Sequence, residues 1–350
     1  MADSIFIAQR EIGPGQPCFF IAEAGVNHNG DPDLARQLVD AAAAAGADAV
    51  KFQTFSADRL AAKSAPKAQY QIQTTGAEDS QYTMLRALEL SESAHRDLQE
   101  YCRRREIIFL STPFDEQSAD FLASLNVPAF KLSSGDLTNH PLISHVCGMG
   151  RPVILSTGMA TLDEVEAAVG VAKQHGNGVA LLQCVSNYPS VPQAVNLRVM
   201  QTFARLFEVP AGYSDHTLGI AVPIAAAALG ATIIEKHFTL DRKLPGPDHR
   251  ASLEPAELKE LLESIRTVES ALGDGRKQPW PDELPVRDVG RKSLHWQRDV
   301  GEGAIACVAD FIALRPGTGI SPAARGELVG KALAHAVRAG QPVRHEDFRG

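Results

Sequence analysis

Short apolar, β-rich runs alternate with longer helical stretches along most of this chain, and few folds accommodate that rhythm. The runs are Cys18–Glu23, Ala49–Thr54, Ile107–Thr112, Ala129–Ser134, Val153–Ser156, Val179–Cys184, Ala211–Ser214 and Thr232–His237. Between them, helical patterning covers Asp33–Ala45, Ser93–Arg105, Glu116–Leu125, Leu162–His175, Ala194–Phe207 and Ile220–Leu229. The connection Pro141–Gly150 is the shortest, and Pro255–Leu272 follows the eighth run with a proline suited to its first turn. Eight strand–helix units predict an α/β chain whose strands close into a (β/α)8 TIM barrel over about residues 15–272. A doubly wound sheet is the alternative. It would show fewer repeats and a phosphate loop after its first strand, where this chain has Gly25-Val26-Asn27-His28-Asn29-Gly30 rather than GxGxxG.

The runs end in residues that a folding core would not select: Glu23; Lys51 and Gln53; Thr112; Lys131, Ser133 and Ser134; Ser156; Cys184 and Ser186; Ser214 and His216; Glu235 and His237. In a barrel these positions converge on the mouth that carries the active site. Residues two apart share a face of a strand, so Lys51 faces with Gln53, Ser214 with His216, and Glu235 with His237. Burying an unpaired charge costs several kcal/mol, roughly, so such a ring calls for an anion and a metal as partners.

Beyond Leu272 a turn-rich linker over 273–284 leads to a tail at 285–350, whose short apolar runs are broken by glycine and proline. A unit that small is expected to dock on something. The formal charge of −8 argues against a general nucleic-acid or membrane partner but allows an anionic substrate in a locally basic cleft. Five scattered cysteines without zinc-finger or CxxC spacing fit a reducing cytoplasm. No secretory signal and no apolar stretch of membrane-spanning length is apparent.

A single lysine at a strand end is more often a snorkelling surface group. Lys51 and Lys131 together, with Ser134, Ser156 and Ser214 close by, instead make a phosphate and carboxylate cradle, or one of them a Schiff-base nucleophile. His216 and His237 end neighbouring strands. With Glu23 or Glu235 nearby they suit an open-sided divalent ion such as Mn²⁺. Asp248, in the proline-rich loop Gly246-Pro247-Asp248-His249, is either a turn residue or a sugar ligand over the mouth. His28 and Asn29 read equally as turn residues or as site residues.

The strings IAEAGVNHNGD, AVKFQTF, LSTPFD, FKLSSGD, ILSTGMATLDE, CVSNYPS, GYSDHTLG and EKHFTL followed by GPDH lie in the order and spacing of the sialic acid synthase family. The tail, LRPGTGISP onwards, resembles that family's C-terminal antifreeze-like (SAF) domain. The resemblance implies condensation of phosphoenolpyruvate with an open-chain N-acetylmannosamine-type aldehyde, giving N-acetylneuraminate and phosphate. Relatives making legionaminic or pseudaminic acid from a diacetamido acceptor share the barrel motifs. It implies that Glu23 lies beside the reacting centre and that Lys51, Lys131, Thr112, Ser134, Ser156 and Ser214 hold phosphoenolpyruvate. His216 and His237 would bind Mn²⁺, with Mg²⁺ or Co²⁺ possible. Gln53, Tyr188, Asp248 and Arg315 would contact the sugar, Arg315 reaching the partner's barrel in a domain-swapped homodimer. Ser186, near the phosphate, stands where some members carry asparagine, and Asp136, near the reacting centre, where glutamate is common.

Three other readings compete. A Schiff-base pyruvate aldolase would use Lys131 or Lys51 covalently and need no metal. A related barrel synthase would take a phosphorylated aldose. A carbohydrate- or ice-binding protein would have no use for converging polar strand ends.

Overall fold

The computed structural model describes residues 3–349. These divide into two units, one running through Gly273 and the other starting at Asp274. The first opens with an antiparallel hairpin, β1 (Ile5–Ile7) and β2 (Arg10–Ile12). Eight strands follow: β3 (Phe19–Gly25), β4 (Ala49–Thr54), β5 (Ile108–Pro113), β6 (Phe130–Leu132), β7 (Val153–Ser156), β8 (Val179–Cys184), β9 (Ala211–Asp215) and β10 (Ile233–His237). They form one parallel sheet in the order β5-β4-β3-β10-β9-β8-β7-β6, and β5 lies against β6 to complete the ring. The barrel expected from the alternation is the barrel observed.

Local chemistry sets the helix ends. Asp31 accepts from the backbone N–H of Asp33 at 2.8 Å, proline opens Pro32–Ala45, and Gly46 closes it at φ 86°. Thr161 and Glu164 cap Leu162–Lys173 reciprocally. The helices bury one stripe against the outside of the strands, through residues such as Leu38, Leu98, Leu122, Phe203 and Leu261. Inside the barrel a separate cluster holds Phe19, Ile21, Leu110, Ile154, Leu182 and Ile233, sealed from below by Ile5, Ile7 and Ile12 of the hairpin. Arg10 pairs with Asp48, which also accepts from the backbone N–H of Phe20 at 2.7 Å, fixing the hairpin to the barrel floor.

The structure departs from the expected elements in three places. β6 stops at Leu132, because Ser133 donates to Asp136 at 2.6 Å and the chain turns into the 3-10 segment Ser134–Asp136. The second connection, between β4 and β5, holds three helices ahead of Glu92–Arg104: Ala57–Leu60, Gln69–Thr75 and Gln81–Leu88. A helix over Glu283–Gly290 runs across the expected boundary between linker and tail, and just ahead of it Trp280 N–H donates to the Glu283 carboxylate at 2.9 Å.

In the second unit β11 (Ser293–Trp296) pairs antiparallel with β12 (Phe311–Leu314) over a small core around Trp296, Leu333 and Phe348. Among the described residues no helix is long and apolar enough to cross a membrane, and the cysteines are free.

Candidate active site

Where β3 through β10 end, they surround a cavity of about 420 Å³, a size suited to small-molecule ligands. Its walls include Glu23, Lys51, Gln53, Thr112, Lys131, Ser134, Ser156, Ser186, Tyr188, Ser214, His216, His237 and Asp248. Two predicted site residues are not in this wall. Asp136 accepts from Ser133 and stabilises its own turn instead. Arg315 is an exposed residue of the second unit, directly after β12.

A charge relay crosses the floor. Glu23 Oε2 lies 2.6 Å from Lys51 Nζ, which donates to Thr112 Oγ1 at 2.9 Å and stands 3.9 Å from Glu235. Glu235 is 3.5 Å from Lys131 and accepts from Ser214 Oγ at 2.9 Å. All four charged groups are buried. Burial pushes both carboxyls upward, and their surroundings then separate them. Glu23 ends at about 7, its one close ammonium only partly offsetting burial. Glu235, between two ammonium groups and a hydroxyl, is held down at about 2. Lys51 stays protonated because Glu23 and Glu235 outweigh its burial, whereas burial prevails at Lys131 and lowers it.

Around Lys131 lies a set of hydroxyls. Ser134 Oγ accepts from Gly158 N–H at 2.9 Å, and Ser156 Oγ is buried with no partner in the structure. A Cβ at Gly158 would fall 2.2 Å from Ser186 Oγ and 2.9 Å from Ser134 Oγ, so only glycine admits this close approach. Gly25, at φ 55°, similarly packs against Glu23, Gln53 and His237.

The histidine rings stand with centroids 5.5 Å apart. His216 Nδ1 lies 2.8 Å from Val185 O and donates to it, which leaves Nε2 as a free lone pair. His237 Nδ1 is buried with no partner. These donors fit a divalent ion. Among the described residues no three His, Cys, Asp or Glu side chains group to enclose one, so the pair would hold an ion whose remaining positions stay open.

Sequence reasoning missed the support behind the pair. On the outer face of the same strands, Lys236 pairs with Asp215 and donates to Thr217 O at 2.7 Å. Asp215 also accepts from Tyr213 Oη and Thr217 N–H, each at 2.8 Å. This buried network fixes the two strand ends that carry the histidines. His28 and Asn29 turn out to be loop residues. Asn29 contacts His249 at 3.1 Å, and with Asn27, which donates to Ser252 at 3.0 Å, it ties down the loop that presents Asp248.

Also unforeseen was the wall built by the second connection. Tyr70 stacks on Tyr188 with centroids 4.8 Å apart, and Tyr188 lies tilted against His216 at 3.9 Å, so this connection reaches across the mouth. Its only signal in the sequence was length: 37 residues separate Thr54 from Glu92, far above the usual ~2–6 for such a loop.

The NeuB family model matches residues 38–277. The chain is 51% identical over 333 residues to an N,N'-diacetyllegionaminic acid synthase of Legionella pneumophila, covering 94% of each chain. It is 38% identical over 344 residues to the N-acetylneuraminate-9-phosphate synthase of Homo sapiens, covering 96% of this chain and 94% of that one. A crystal structure of an N-acetylneuraminic acid synthetase from Leptospira borgpetersenii superposes with TM-score 0.73 at 36% identity, covering 82% of this chain and 95% of that one. The barrel, its polar mouth and these likenesses together make the chain a member of the NeuB family.

Proposed function

We propose that this protein is a phosphoenolpyruvate-dependent synthase of the sialic acid type, joining phosphoenolpyruvate to the aldehyde of an open-chain N-acetylated amino sugar. The observation that carries the reading is the pair of buried lysines sharing Glu235 in a mouth otherwise lined by hydroxyls and two histidines. Carboxylates hold these lysines in the absence of substrate. An incoming phosphate and carboxylate take over the same contacts, with Thr112, Ser134, Ser156, Ser186 and Ser214 supplying hydroxyls.

Held by His216 and His237, a divalent ion (Mn²⁺ foremost, Mg²⁺ or Co²⁺ as alternatives) would supply Lewis acidity at the acceptor's aldehyde oxygen. The chain's own groups do the rest. Gln53, Tyr188 and Asp248 orient the acceptor so that carbon three of phosphoenolpyruvate forms its bond to the aldehyde carbon, whose oxygen becomes a hydroxyl by taking a proton from solvent. Lys51 and Lys131 balance the negative charge of the carboxylate and phosphate while positive charge develops at carbon two. Glu23, titrating near neutrality, takes the proton of the water that adds at carbon two. The bond from carbon two to the phosphate oxygen then breaks as the new hydroxyl on carbon two gives its proton to the departing phosphate, leaving the keto acid and inorganic phosphate.

Lys51, kept protonated, is in the wrong state to be a Schiff-base nucleophile. Phosphate release from phosphoenolpyruvate and N-acetylmannosamine, with and without chelator, tests the proposal. Release only with both substrates and metal supports it. A borohydride-trapped pyruvate adduct on either lysine would replace it with the aldolase.

Of the acceptors, N-acetylmannosamine is the simplest. The 2,4-diacetamido-6-deoxy alternative is favoured by the greater identity to the legionaminic acid synthase. We read the second unit as the antifreeze-like domain that its motifs resemble, and Arg315 as its contribution to the barrel of a second copy in a domain-swapped homodimer. Mixing Arg315→Ala with Glu23→Ala subunits should then restore part of the activity that each variant lacks. The cytoplasm, where phosphoenolpyruvate is made, is the compartment this chemistry requires.

A further inference from the structure

The buried charge pair behind the histidines takes no part in the chemistry above. Lys236 and Asp215 are register partners on β10 and β9, and each immediately precedes a histidine in the chain. Both are 1% exposed, and neither lines the cavity. Asp215 Oδ1 accepts from Thr217 N–H at 2.8 Å, which makes His216 the middle residue of an Asx turn. Lys236 Nζ pairs with Asp215 and donates to Thr217 O at 2.7 Å, so one ammonium from β10 grips both ends of the turn that carries His216. The residue after that lysine is His237. The ladder between β9 and β10 runs from Tyr213 and Ile234 to Asp215 and Lys236 and ends there. Beyond it the strands part: His237 registers with Glu23 of β3, while the His216 carbonyl accepts from Ser190 N–H at 2.9 Å. The rings are also held unequally. His216 Nδ1 is fixed on Val185 O, whereas His237 Nδ1 has no partner, so hydrogen bonding places that ring only through the backbone of β10.

We infer that Lys236 and Asp215 are positioning residues for the divalent ion, clamping the two parting strand ends so that both imidazoles reach one point, rather than a source of stability for the barrel. The inference rests on the reading of the histidine pair as a metal site. Pairing in a low-dielectric interior does little more than offset the desolvation of the two ions, so exchanging both members for neutral groups of similar volume leaves stability about where it was or raises it. Geometry is what such a pair supplies. Metal–imidazole bonds are short, about 2 Å, so a drift of about one ångström between the strand ends leaves the ion with a single histidine. Supports behind metal ligands are worth about 10- to 100-fold in affinity, which sets the expected effect.

The test is Mn²⁺ binding by calorimetry to the metal-free, full-length protein without substrates, for the wild type and for the double variant Asp215→Asn with Lys236→Met. Asparagine keeps the oxygen that closes the Asx turn and methionine fills the space of the lysine stem, so the turn survives while the ionic link between the strands is cut. The double variant should unfold in urea near the wild-type midpoint yet bind Mn²⁺ about 10- to 100-fold more weakly. Phosphate release should recover as Mn²⁺ is raised past the weakened Kd, with the KM for phosphoenolpyruvate unchanged, a response that a merely misshapen barrel would not give. Unchanged Mn²⁺ affinity in the folded variant overturns the inference and leaves the metal site and the synthase reading standing. Activity that stays lost at saturating Mn²⁺ overturns it as well, because the pair would then shape the whole mouth. Failure of the double variant to fold would make the pair a structural support and overturn it too. A wild type that binds no Mn²⁺ removes the metal reading and this inference together, and phosphate release from the two substrates then decides the synthase reading separately.

Discussion

The two ends of the same eight strands behave like different proteins. Along β3 the residues facing the barrel interior run Phe19, Ile21, Glu23; along β8, Ala180, Leu182, Cys184; along β10, Ile233, Glu235, His237. The lower layers are closely packed hydrocarbon. One step up, the same pleat turns to buried carboxylates, ammonium groups and imidazoles. The lower end removes apolar surface from water at about 25 cal/mol per Å² and so stabilises the fold. The upper end buries ions whose desolvation their pairing only partly offsets. Stability resides in the lower layers and chemistry in the upper ones, and the strands can serve both because inward-facing positions recur every second residue.

Chelation should have the largest effect. Removing divalent ions with EDTA is expected to drop phosphate release to background, with Mn²⁺ restoring it best and the melting temperature of the barrel hardly altered. Full turnover in chelator would show that the histidine pair does not work through a metal. At the other end, Phe19→Ala opens a cavity in the interior cluster and should cost about 3–5 kcal/mol in urea unfolding, while the KM for phosphoenolpyruvate stays within about twofold. A large KM change there would show that the two ends are coupled after all.

Much of this division was legible in the sequence, because both its halves are written in short range. The apolar runs gave the strands, and the polar residues that end them gave the floor of the site, Lys51, Lys131, His216 and His237 among them. What was not legible depends on contacts distant along the chain. Glu235 belongs between Lys51 and Lys131 because three strands converge, and nothing in the string EKH says so. The Asp215–Lys236 support lies on the outer face of strands that read as uniformly buried. Asp136 drew attention by its place in FKLSSGD, yet its turn directs it to Ser133. The wall built by the second connection has weak helical patterning, and only its unusual length hinted at a role.

Lys131→Met sharpens the contrast within the upper end. Lys131 is a charge partner of Glu235, and its loss removes a charge-assisted contact to substrate worth about 3 kcal/mol, so kcat/KM for phosphoenolpyruvate should fall by about 10²-fold. The methionine stem fills the same space but leaves the buried Glu235 with one ammonium instead of two, so some stability should be lost as well. The acceptor KM should move less than that of phosphoenolpyruvate. An equal loss for both substrates would mean that the lysine organises the whole mouth rather than one anion.

The smallest effect is a pH dependence of stability, and its sign is fixed by Glu23. Burial raises this carboxyl from 4.5 to about 7, with Lys51 opposing the rise. Between those values the folded state holds a proton that the unfolded state releases. The stabilisation is therefore complete below about pH 4.5 and is lost as pH rises through about 7. Glu235 is shifted the other way, to about 2, and its contribution is lost as pH falls from about 4.5 to about 2. Each pKa unit corresponds to about 1.4 kcal/mol, so the rise from 4.5 to about 7 bounds the contribution of Glu23 at about 3.5 kcal/mol. Buried histidines such as His28, lowered to about 3, slope in the opposite sense as pH falls. The clean measurement is thus a difference: urea unfolding of the metal-free wild type and of Glu23→Gln at about pH 5 and about pH 8. Relative to the variant, the wild type should lose stability on going to the higher pH. A difference that is flat or of opposite sign would place the Glu23 proton elsewhere in the relay, and with it the base assigned to the attacking water.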